Sequence, residues 1–168
     1  KLLLDTLEFA KDAHSGQKRL TGDDYITHPI AVTRILANLK MDLATLQAAL
    51  LHDVVEDCDV TLSTIEKHFG TEVAQLVDSA TKVSEIQSRI SIPKSEPINA
   101  EWETVRKLLT ATAEDIRVII MKLADRLHNM ETIAVLPEDR RIALARETRD
   151  IYAPLAERLG TWRLRWRL

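Results

Sequence analysis

The hydrophobic residues of this chain recur mostly at intervals of three and four positions, which is the period of a helix with one buried face. Leu3, Leu7 and Ala10 begin the pattern, and the first helix is predicted to stop near Gly16, because glycine is frequent just after a helix. The same period predicts helices over residues 27–39, 42–52, 71–77, 102–109, 116–133 and 138–152. The last segment, 162–168, instead alternates apolar and basic residues in the manner of a strand. The chain is therefore predicted to be an all-α helical bundle.

Polar and turn-forming residues predict where these helices begin and end. Asp42 is predicted to cap the third helix, because its side chain can accept a hydrogen bond from a first-turn amide. A capping box at residues 63–66 predicts a short helix that ends at Gly70. Residues 17–25 combine turn residues with basic side chains and are predicted to form a loop. Residues 84–99 lose the helical period and contain two prolines, so a second and longer loop is predicted there.

Composition and charge narrow the class of protein. With 168 residues and 45% hydrophobic content, the chain is long enough to bury a core and fits one domain. The net charge of -3 gives no overall attraction to nucleic acid or to a membrane surface. A single cysteine, Cys58, excludes an internal disulfide and a thiolate zinc cluster and favours a reducing, cytoplasmic environment. No apolar run is long enough to span a membrane, so we expect a soluble protein.

The candidate chemistry begins with the hexapeptide HDVVED at residues 52–57, which directly follows an apolar run. On a helix, His52 and Glu56 lie four positions apart, and Asp53 and Asp57 do the same, so these side chains share neighbouring faces. Acidic side chains gathered on one surface repel each other unless a cation lies among them. An imidazole combined with carboxylates suits zinc, manganese or iron. The alternative interpretation is a helix end whose acids face water.

Two further segments carry side chains that could join this cluster. His28 lies at the start of the second helix, where the proline that follows it is tolerated because a first-turn N–H would lack a partner. Asp125 follows the strongly apolar run 118–124. A carboxylate that enters a core is costly unless it is paired or binds a metal. A structural salt bridge to Arg126 or Lys122 is the alternative for this residue.

Four candidate ligands thus come from three separate helices: His28, His52, Asp53 and Asp125. Two imidazoles and two carboxylates would leave positions of an octahedral ion open to water, which is the arrangement that lowers the pKa of a bound water molecule. The two remaining acids of the hexapeptide could orient or deprotonate that water. The pattern predicts a metal-dependent hydrolytic site.

In their order and context these residues resemble the HD phosphohydrolase superfamily and, within it, the hydrolase domain of the RelA/SpoT family. The motifs that carry the resemblance are GQKR at 16–19, YITHP at 25–29, HDVVED at 52–57, KLADRLHNM at 122–130 and IYAPLA at 151–156. The resemblance covers nearly the whole chain and implies one all-α HD-domain helical bundle over residues 1–168. The chain lacks an initiator methionine and stops inside a patterned stretch, so we expect it to be the N-terminal fragment of a longer RelA/SpoT-type protein. In the bifunctional enzymes a synthetase domain follows.

The resemblance also implies an activity, namely that of a manganese-dependent guanosine-3′,5′-bis(diphosphate) 3′-pyrophosphohydrolase of the stringent response. Such an enzyme removes the 3′-pyrophosphate of ppGpp or pppGpp and releases GDP or GTP. By the same resemblance, one Mn²⁺ ion would be held by His28, His52, Asp53 and Asp125. Two acids would activate the attacking water, namely Glu56 and Asp57. The nucleotide would be contacted by Lys18, Arg19, Thr21, Lys82, Asn129 and Thr132.

The predicted nucleotide loop departs from the family pattern at one position. Where the family commonly has Arg-Lys-Ser-Gly, this chain has RLTG at 19–22, so one cation is missing and Lys18 is the candidate to compensate. Two alternatives stay open: an HD phosphohydrolase that acts on another nucleotide, and a regulatory module that binds nucleotide without cleaving it. The aromatic and basic tail at 162–168 could stack on single-stranded nucleic acid. It is short, however, and the family has a helix here, so we do not expect nucleic-acid binding.

Overall fold

The computed structural model describes residues 1–89 and 115–168. Every regular element in these two stretches is helical, which confirms the all-α prediction. The chain divides into two compact units, Lys1–Lys82 and Val83–Leu168. The helices up to residue 89 are α1 Leu2–Ala13, α2 Thr27–Asn38, α3 Leu43–Leu51, α4 Val54–Asp57, α5 Leu62–Phe69 and α6 Thr71–Arg89. From residue 115 onward they are α7 Ile116–Glu131, a 3-10 turn Ile133–Val135, α8 Glu138–Glu147, a π-helical turn Thr148–Tyr152, α9 Ala153–Arg158 and α10 Trp162–Arg165.

The first unit is organised around α3, which packs against both α1 and α2. Ala48, Ala49 and Leu51 on α3 are completely buried, and the small alanine side chains allow neighbouring helices to approach closely. Two buried polar side chains of α3 and α1 are paired, because Gln47 donates a hydrogen bond of 2.8 Å to the Thr6 hydroxyl. The C-terminal end of α3 is therefore held in a closely packed core.

Two helix starts test the capping predictions of the sequence. The Asp42 carboxylate accepts a hydrogen bond of 3.0 Å from the Thr45 amide, so the predicted cap of α3 is confirmed. The capping box predicted at 63–66 is wrong, because the Thr61 hydroxyl accepts from the Thr64 amide and α5 already begins at Leu62. The end of α5 is as predicted: Gly70 follows it with φ 91°, a conformation that glycine adopts readily.

The HDVVED hexapeptide does not lie on one continuous helix. α3 ends at Leu51, and the short helix α4 begins two residues beyond His52, at Val54. The His52 imidazole donates to the Ala49 carbonyl, the group that a continuing helix would offer to the Asp53 amide. The metal-binding candidates of the hexapeptide are thus placed at a break between two helices rather than along a helix face.

The second unit is centred on α7, whose buried face includes Val118, Leu123 and Leu127. α7 packs against the π-helical turn and α10. One helix was predicted from residue 138 to 152, but a π-helical turn follows α8, and the Thr148 hydroxyl donates to the Leu144 carbonyl at 2.7 Å. A hydroxyl bonded to the carbonyl four residues earlier competes with the helical ladder and bends a helix. Proline 154 then lies in the first turn of α9, where it is tolerated.

Two other segments differ from the prediction. α6 continues to Arg89, so residues 84–89 are helical and not the start of a loop, because the prolines that break the pattern come only later. The rest of that predicted loop and the predicted helix at 102–109 lie outside the described residues. The tail forms the short helix α10 rather than a strand. Among the helices of residues 1–89 and 115–168, none has the length and apolar character needed to cross a membrane.

Candidate metal centre and nucleotide loop

His52 is the most constrained of the candidate ligands. Its side chain is buried, and its Nδ1 lies 2.8 Å from the Ala49 carbonyl oxygen. A carbonyl can only accept, so Nδ1 is the donor, and in a neutral imidazole Nε2 then presents a lone pair. Nε2 lies 3.1 Å from Asp53 Oδ1 but has no hydrogen-bond partner, because this approach lacks hydrogen-bond geometry. A lone pair and a carboxylate oxygen at this distance repel each other unless a cation lies beside them.

His28 approaches the same carboxylate from α2. Its side chain is buried near the N-terminus of that helix, and its Nε2 lies 3.7 Å from Asp53 Oδ2. The rings of His28 and His52 have centroids 5.4 Å apart at an angle of 55°. The Asp53 side chain is 15% exposed, so the group is reachable from solvent although both imidazoles are buried. Within the first unit, the fold therefore brings together three of the four predicted ligands.

Tyr25 connects this cluster to the second half of the hexapeptide. Its hydroxyl lies 2.9 Å from Asp53 Oδ2 and 2.9 Å from Asp57 Oδ2. Burial, followed by the negative charges of the two aspartates, raises the pKa of Tyr25 above its usual value. The hydroxyl therefore keeps its proton and acts as a donor between two carboxylates. Glu56 and Asp57 are themselves exposed.

A second set of side chains holds the backbone of Asp57. The Gln17 amide nitrogen donates to the Asp57 carbonyl at 2.9 Å, and its Oε1 lies 2.8 Å from Nδ1 of the buried His14. The His14 ring stacks on Tyr25 with centroids 4.6 Å apart. Sequence reasoning gave no role to Gln17, Tyr25 or His14. The signal for two of them was present, since Gln17 and Tyr25 lie inside the GQKR and YITHP motifs.

The predicted nucleotide loop, residues 17–25, is closed on itself by backbone hydrogen bonds. The Tyr25 amide donates to the Gln17 carbonyl at 3.0 Å, and the Arg19 amide donates to the Asp23 carbonyl at 2.9 Å. Lys18 forms an exposed ion pair with Asp24, at 2.6 Å, which lowers the pKa of that carboxyl group. The Thr21 hydroxyl donates to Asp23 at 2.9 Å, and Leu20 is 71% exposed. The loop therefore presents an apolar side chain to solvent at position 20.

The second unit carries three further candidates, Asp125 and Asn129 on α7 and Thr132 at its C-cap. The Asn129 amide donates to Asp125 Oδ1 at 2.9 Å, as their spacing of four residues predicts. The Thr132 hydroxyl donates to the His128 carbonyl at 3.1 Å. The two cations considered as salt-bridge partners of Asp125 engage other residues. Lys122 donates to Ser84 at 2.5 Å, and Arg126 pairs with Glu147 at 3.0 Å.

Lys82, the weakest of the predicted phosphate contacts, is close to an acid of its own helix. Its Nζ lies 2.5 Å from Asp78 Oδ2, and its side chain is 65% exposed. An exposed pair of this kind contributes little to stability, because both charges are well solvated. The lysine can therefore exchange this partner for a phosphate at little energetic cost.

The cluster of the first unit fits a divalent metal ion. The test is the buried Nε2 of His52, which lacks a hydrogen-bond partner although a protein normally pairs such atoms. Its tautomer is fixed by a backbone carbonyl, which is the usual second interaction of a metal-bound histidine. Two imidazoles with a carboxylate suit a borderline divalent ion such as Zn²⁺, Mn²⁺ or Fe²⁺.

Comparison with known proteins places this architecture in a family. The family model described as the HD domain matches residues 6–162. The chain belongs to the HD domain family. This HD domain is 52% identical over 151 residues to the guanosine-3′,5′-bis(diphosphate) 3′-pyrophosphohydrolase of Vibrio cholerae, with 90% of this chain and 21% of that protein covered. It is 51% identical to the bifunctional (p)ppGpp synthase/hydrolase SpoT of Escherichia coli, with the same coverage.

Two further comparisons bear on this HD domain. It is 49% identical over 161 residues to a probable GTP pyrophosphokinase of Mycobacterium leprae, with 96% of this chain and 19% of that protein covered. A solved structure, described as a metazoan ortholog of SpoT that hydrolyses ppGpp, is similar with a TM-score of 0.64 and 28% identity. That match covers 89% of this chain and 84% of the other. The predicted resemblance to the RelA/SpoT hydrolase domain is confirmed. The chain spans about a fifth of the length of the curated relatives it matches.

Proposed function

We propose that this HD domain hydrolyses the 3′-pyrophosphate of ppGpp and pppGpp, giving GDP or GTP and pyrophosphate. The observation that carries the proposal is the unpaired, buried Nε2 of His52 beside the Asp53 carboxylate, with the exposed acids Glu56 and Asp57 close by in sequence. Relatives that are about 50% identical to this chain over the matched residues bear the name of that activity. The solved structure that is similar over most of its length is described as a ppGpp hydrolase.

We assign one Mn²⁺ ion to His28, His52, Asp53 and Asp125. When bound, the ion supplies Lewis-acid activation of a water molecule and charge neutralisation at the pyrophosphate. Asp125 comes from the second unit, and its assignment rests on its place in the KLADRLHNM motif and on a polar neighbour, Asn129, that can orient its carboxylate. The protein's own contribution is to fix the His52 tautomer and to hold Asp53 between two imidazoles.

Glu56 and Asp57 take the role of orienting and deprotonating the attacking water. Both are exposed at α4, immediately after the break that places His52 and Asp53. A carboxylate can accept the proton of the water as the new P–O bond forms, while the bond between phosphorus and the ribose 3′ oxygen breaks; pyrophosphate is released and the 3′ oxygen takes up a proton. Asp57 is held from two sides, through its carboxylate by Tyr25 and through its backbone by Gln17.

The nucleotide is assigned to the 17–25 loop, to Lys82 and to polar groups of the second unit. The guanidinium of Arg19 can stack on a base and pair with phosphate, which a lysine does less well. Lys18 must leave Asp24 to bind phosphate, so it compensates for the missing cation at position 20 only in part. The remaining contacts are assigned to Thr21, Lys82, Asn129 and Thr132.

The same proposal extends to the whole protein from which this chain comes. We assign residues 1–168 to one hydrolase domain near the N-terminus of a longer cytoplasmic protein of the stringent response. A synthetase domain is the expected neighbour, because relatives of this chain are named as bifunctional synthase/hydrolase and as GTP pyrophosphokinase. Those relatives are about five times as long as the part that matches.

The direct test is to incubate the folded protein with ppGpp and Mn²⁺ and to follow GDP and pyrophosphate by anion-exchange chromatography. We expect turnover that Asp57→Asn reduces about 100- to 10,000-fold, because it removes a proton acceptor. Asp59→Asn is the matched control, since it removes an exposed acid two positions away and should leave the rate unchanged. Absence of turnover with every divalent metal would contradict the proposal. Preference for a nucleotide without a 3′-phosphate would favour another HD phosphohydrolase.

A further inference from the structure

We propose that the Tyr25 hydroxyl is a positioning group that holds the metal ligand Asp53 and the water-activating Asp57 in a fixed relation. The inference deepens the proposed function and rests on it. Its basis is geometric: one hydroxyl oxygen lies 2.9 Å from a carboxylate oxygen of each aspartate. The two aspartates are four residues apart, at the N-cap and at the last residue of α4, and Tyr25 reaches them from a different segment of the chain.

A proton count shows what this arrangement requires. A phenol has one proton to donate, and two ionised carboxylates at hydrogen-bond distance compete for it. When Asp53 holds a cation, its carboxylate loses electron density and becomes a weaker acceptor for the Tyr25 proton. The Tyr25 hydroxyl can then donate fully to Asp57. The hydrogen bond to Asp57 is therefore strongest when the metal ligand is occupied, so one hydroxyl couples metal binding to the orientation of the acid that receives a proton.

The Tyr25 ring is held by its neighbours, so the position of its hydroxyl is fixed as well. It stacks on His14 at 4.6 Å and meets the edge of His28, whose ring is 6.2 Å away and nearly perpendicular. The backbone of Tyr25 closes the 17–25 loop through its bond to the Gln17 carbonyl. Removal of the hydroxyl alone would leave these ring and backbone contacts in place. The effect of Tyr25→Phe should therefore be confined to the two aspartates.

The experiment compares Tyr25→Phe with the wild-type protein in two measurements. Mn²⁺ affinity is measured by electron paramagnetic resonance titration without nucleotide, and kcat and KM for ppGpp are measured at saturating Mn²⁺. We expect the Mn²⁺ Kd to rise about tenfold and kcat to fall about 10- to 100-fold, which are usual effects of removing a group that orients a metal ligand. We expect KM to change less than about threefold, because no nucleotide contact is removed.

The matched control is Thr27→Val. The Thr27 hydroxyl donates to the Asp24 carbonyl at 2.8 Å, so its loss loosens the same end of the loop without touching either aspartate. We expect wild-type Mn²⁺ affinity and kcat in this variant. If Thr27→Val had the same effect as Tyr25→Phe, the loss of affinity and rate would come from the loop, and the inference would be overturned.

A wild-type Mn²⁺ Kd in Tyr25→Phe would overturn the inference for Asp53, and a wild-type kcat would overturn it for Asp57. A rise in KM alone would overturn the inference for both aspartates and would indicate that the Tyr25 hydroxyl contacts the substrate. If the wild-type protein binds Mn²⁺ but does not cleave ppGpp, the proposed function fails, and the Mn²⁺ Kd still tests the role at Asp53.

Discussion

Replacing Asp53 by asparagine should separate the two roles that an acid in this position can have. If Asp53 is a metal ligand, the substitution removes metal-dependent stabilisation and changes the metal-free protein little. If it is a structural partner of protonated His28 and His52, the substitution leaves buried charges unpaired. Removing one partner of a buried ion pair usually costs about 3–5 kcal/mol. The metal-free protein therefore distinguishes the two roles.

The magnitude for the metal-free protein follows from the neighbours of Asp53. The carboxylates of Asp53 and Asp57 each lie 2.9 Å from the same hydroxyl, so their nearest oxygens are less than about 6 Å apart. At that distance the mutual repulsion is about 1 kcal/mol in a solvent-like environment, and Asp53→Asn removes it. The asparagine oxygen can still accept from Tyr25, although a neutral acceptor is weaker by about 1 kcal/mol. The gain from removing the repulsion and the loss from the weaker hydrogen bond nearly cancel. The free energy of unfolding should therefore stay within about 1 kcal/mol of the wild-type value.

The metal-bound protein should behave differently. A ligand at 100 times its Kd stabilises the folded state by about 2.7 kcal/mol, and Asp53→Asn should lose most of that gain. For a chain of this size, the difference corresponds to about 5–10 °C in Tm. The assay is thermal unfolding with and without Mn²⁺ for the wild type, Asp53→Asn and the control Asp59→Asn. The reasoning would be refuted if Asp53→Asn kept its Mn²⁺-dependent Tm shift, or if it were destabilised by more than about 2 kcal/mol without metal.

Two further predictions concern the second unit. Asp125→Asn should lower the Mn²⁺ content per chain, measured by elemental analysis after dialysis. The control Asp139→Asn, on the exposed first turn of α8, should leave the Mn²⁺ content unchanged. Unchanged metal content in Asp125→Asn would show that the assigned coordination is wrong. Burial raises the pKa of Tyr152 to about 12, so the folded protein keeps a proton that the unfolded chain releases above about pH 10. Its stabilising contribution is thus complete below pH 10 and is lost as the pH rises toward 12, by up to about 1.4 kcal/mol per pH unit. Tyr152→Phe should lack this loss in urea unfolding between pH 9 and 12, and parallel curves for the two proteins would contradict the assignment.

The helical elements were largely predictable from the sequence, because they depend on local signals. Apolar spacing located the first, second, third and seventh helices, and the side chain of Asp42 capped α3 as expected. Two of the errors occurred where a local signal had a competitor. The Thr61 cap preceded the predicted capping box, and the Thr148 hydroxyl accompanies a π-helical turn where a regular helix was expected.

The residue types of the candidate site were also apparent from the sequence, but their geometry was not. An imidazole followed by a carboxylate after an apolar run indicates a metal site whatever the backbone does around it. Three properties belong to the folded chain: His52 directly follows the end of α3, its Nδ1 is bound to the Ala49 carbonyl, and its Nε2 consequently faces Asp53. Residue spacing on a helix suggested one continuous face, and the helix break replaced that face with a turn.

The sequence by itself determined the helical class, the resemblance to an HD hydrolase domain and the acids and histidines that can bind a metal. Only the tertiary structure decided that Tyr25 lies between Asp53 and Asp57, and that Gln17 and His14 support it. The physical reason is the range of the interactions. Helix periodicity and capping act between residues that are three or four positions apart, whereas the contacts of Tyr25 join residues that are 28 and 32 positions apart and exist only after α2, α3 and α4 have packed.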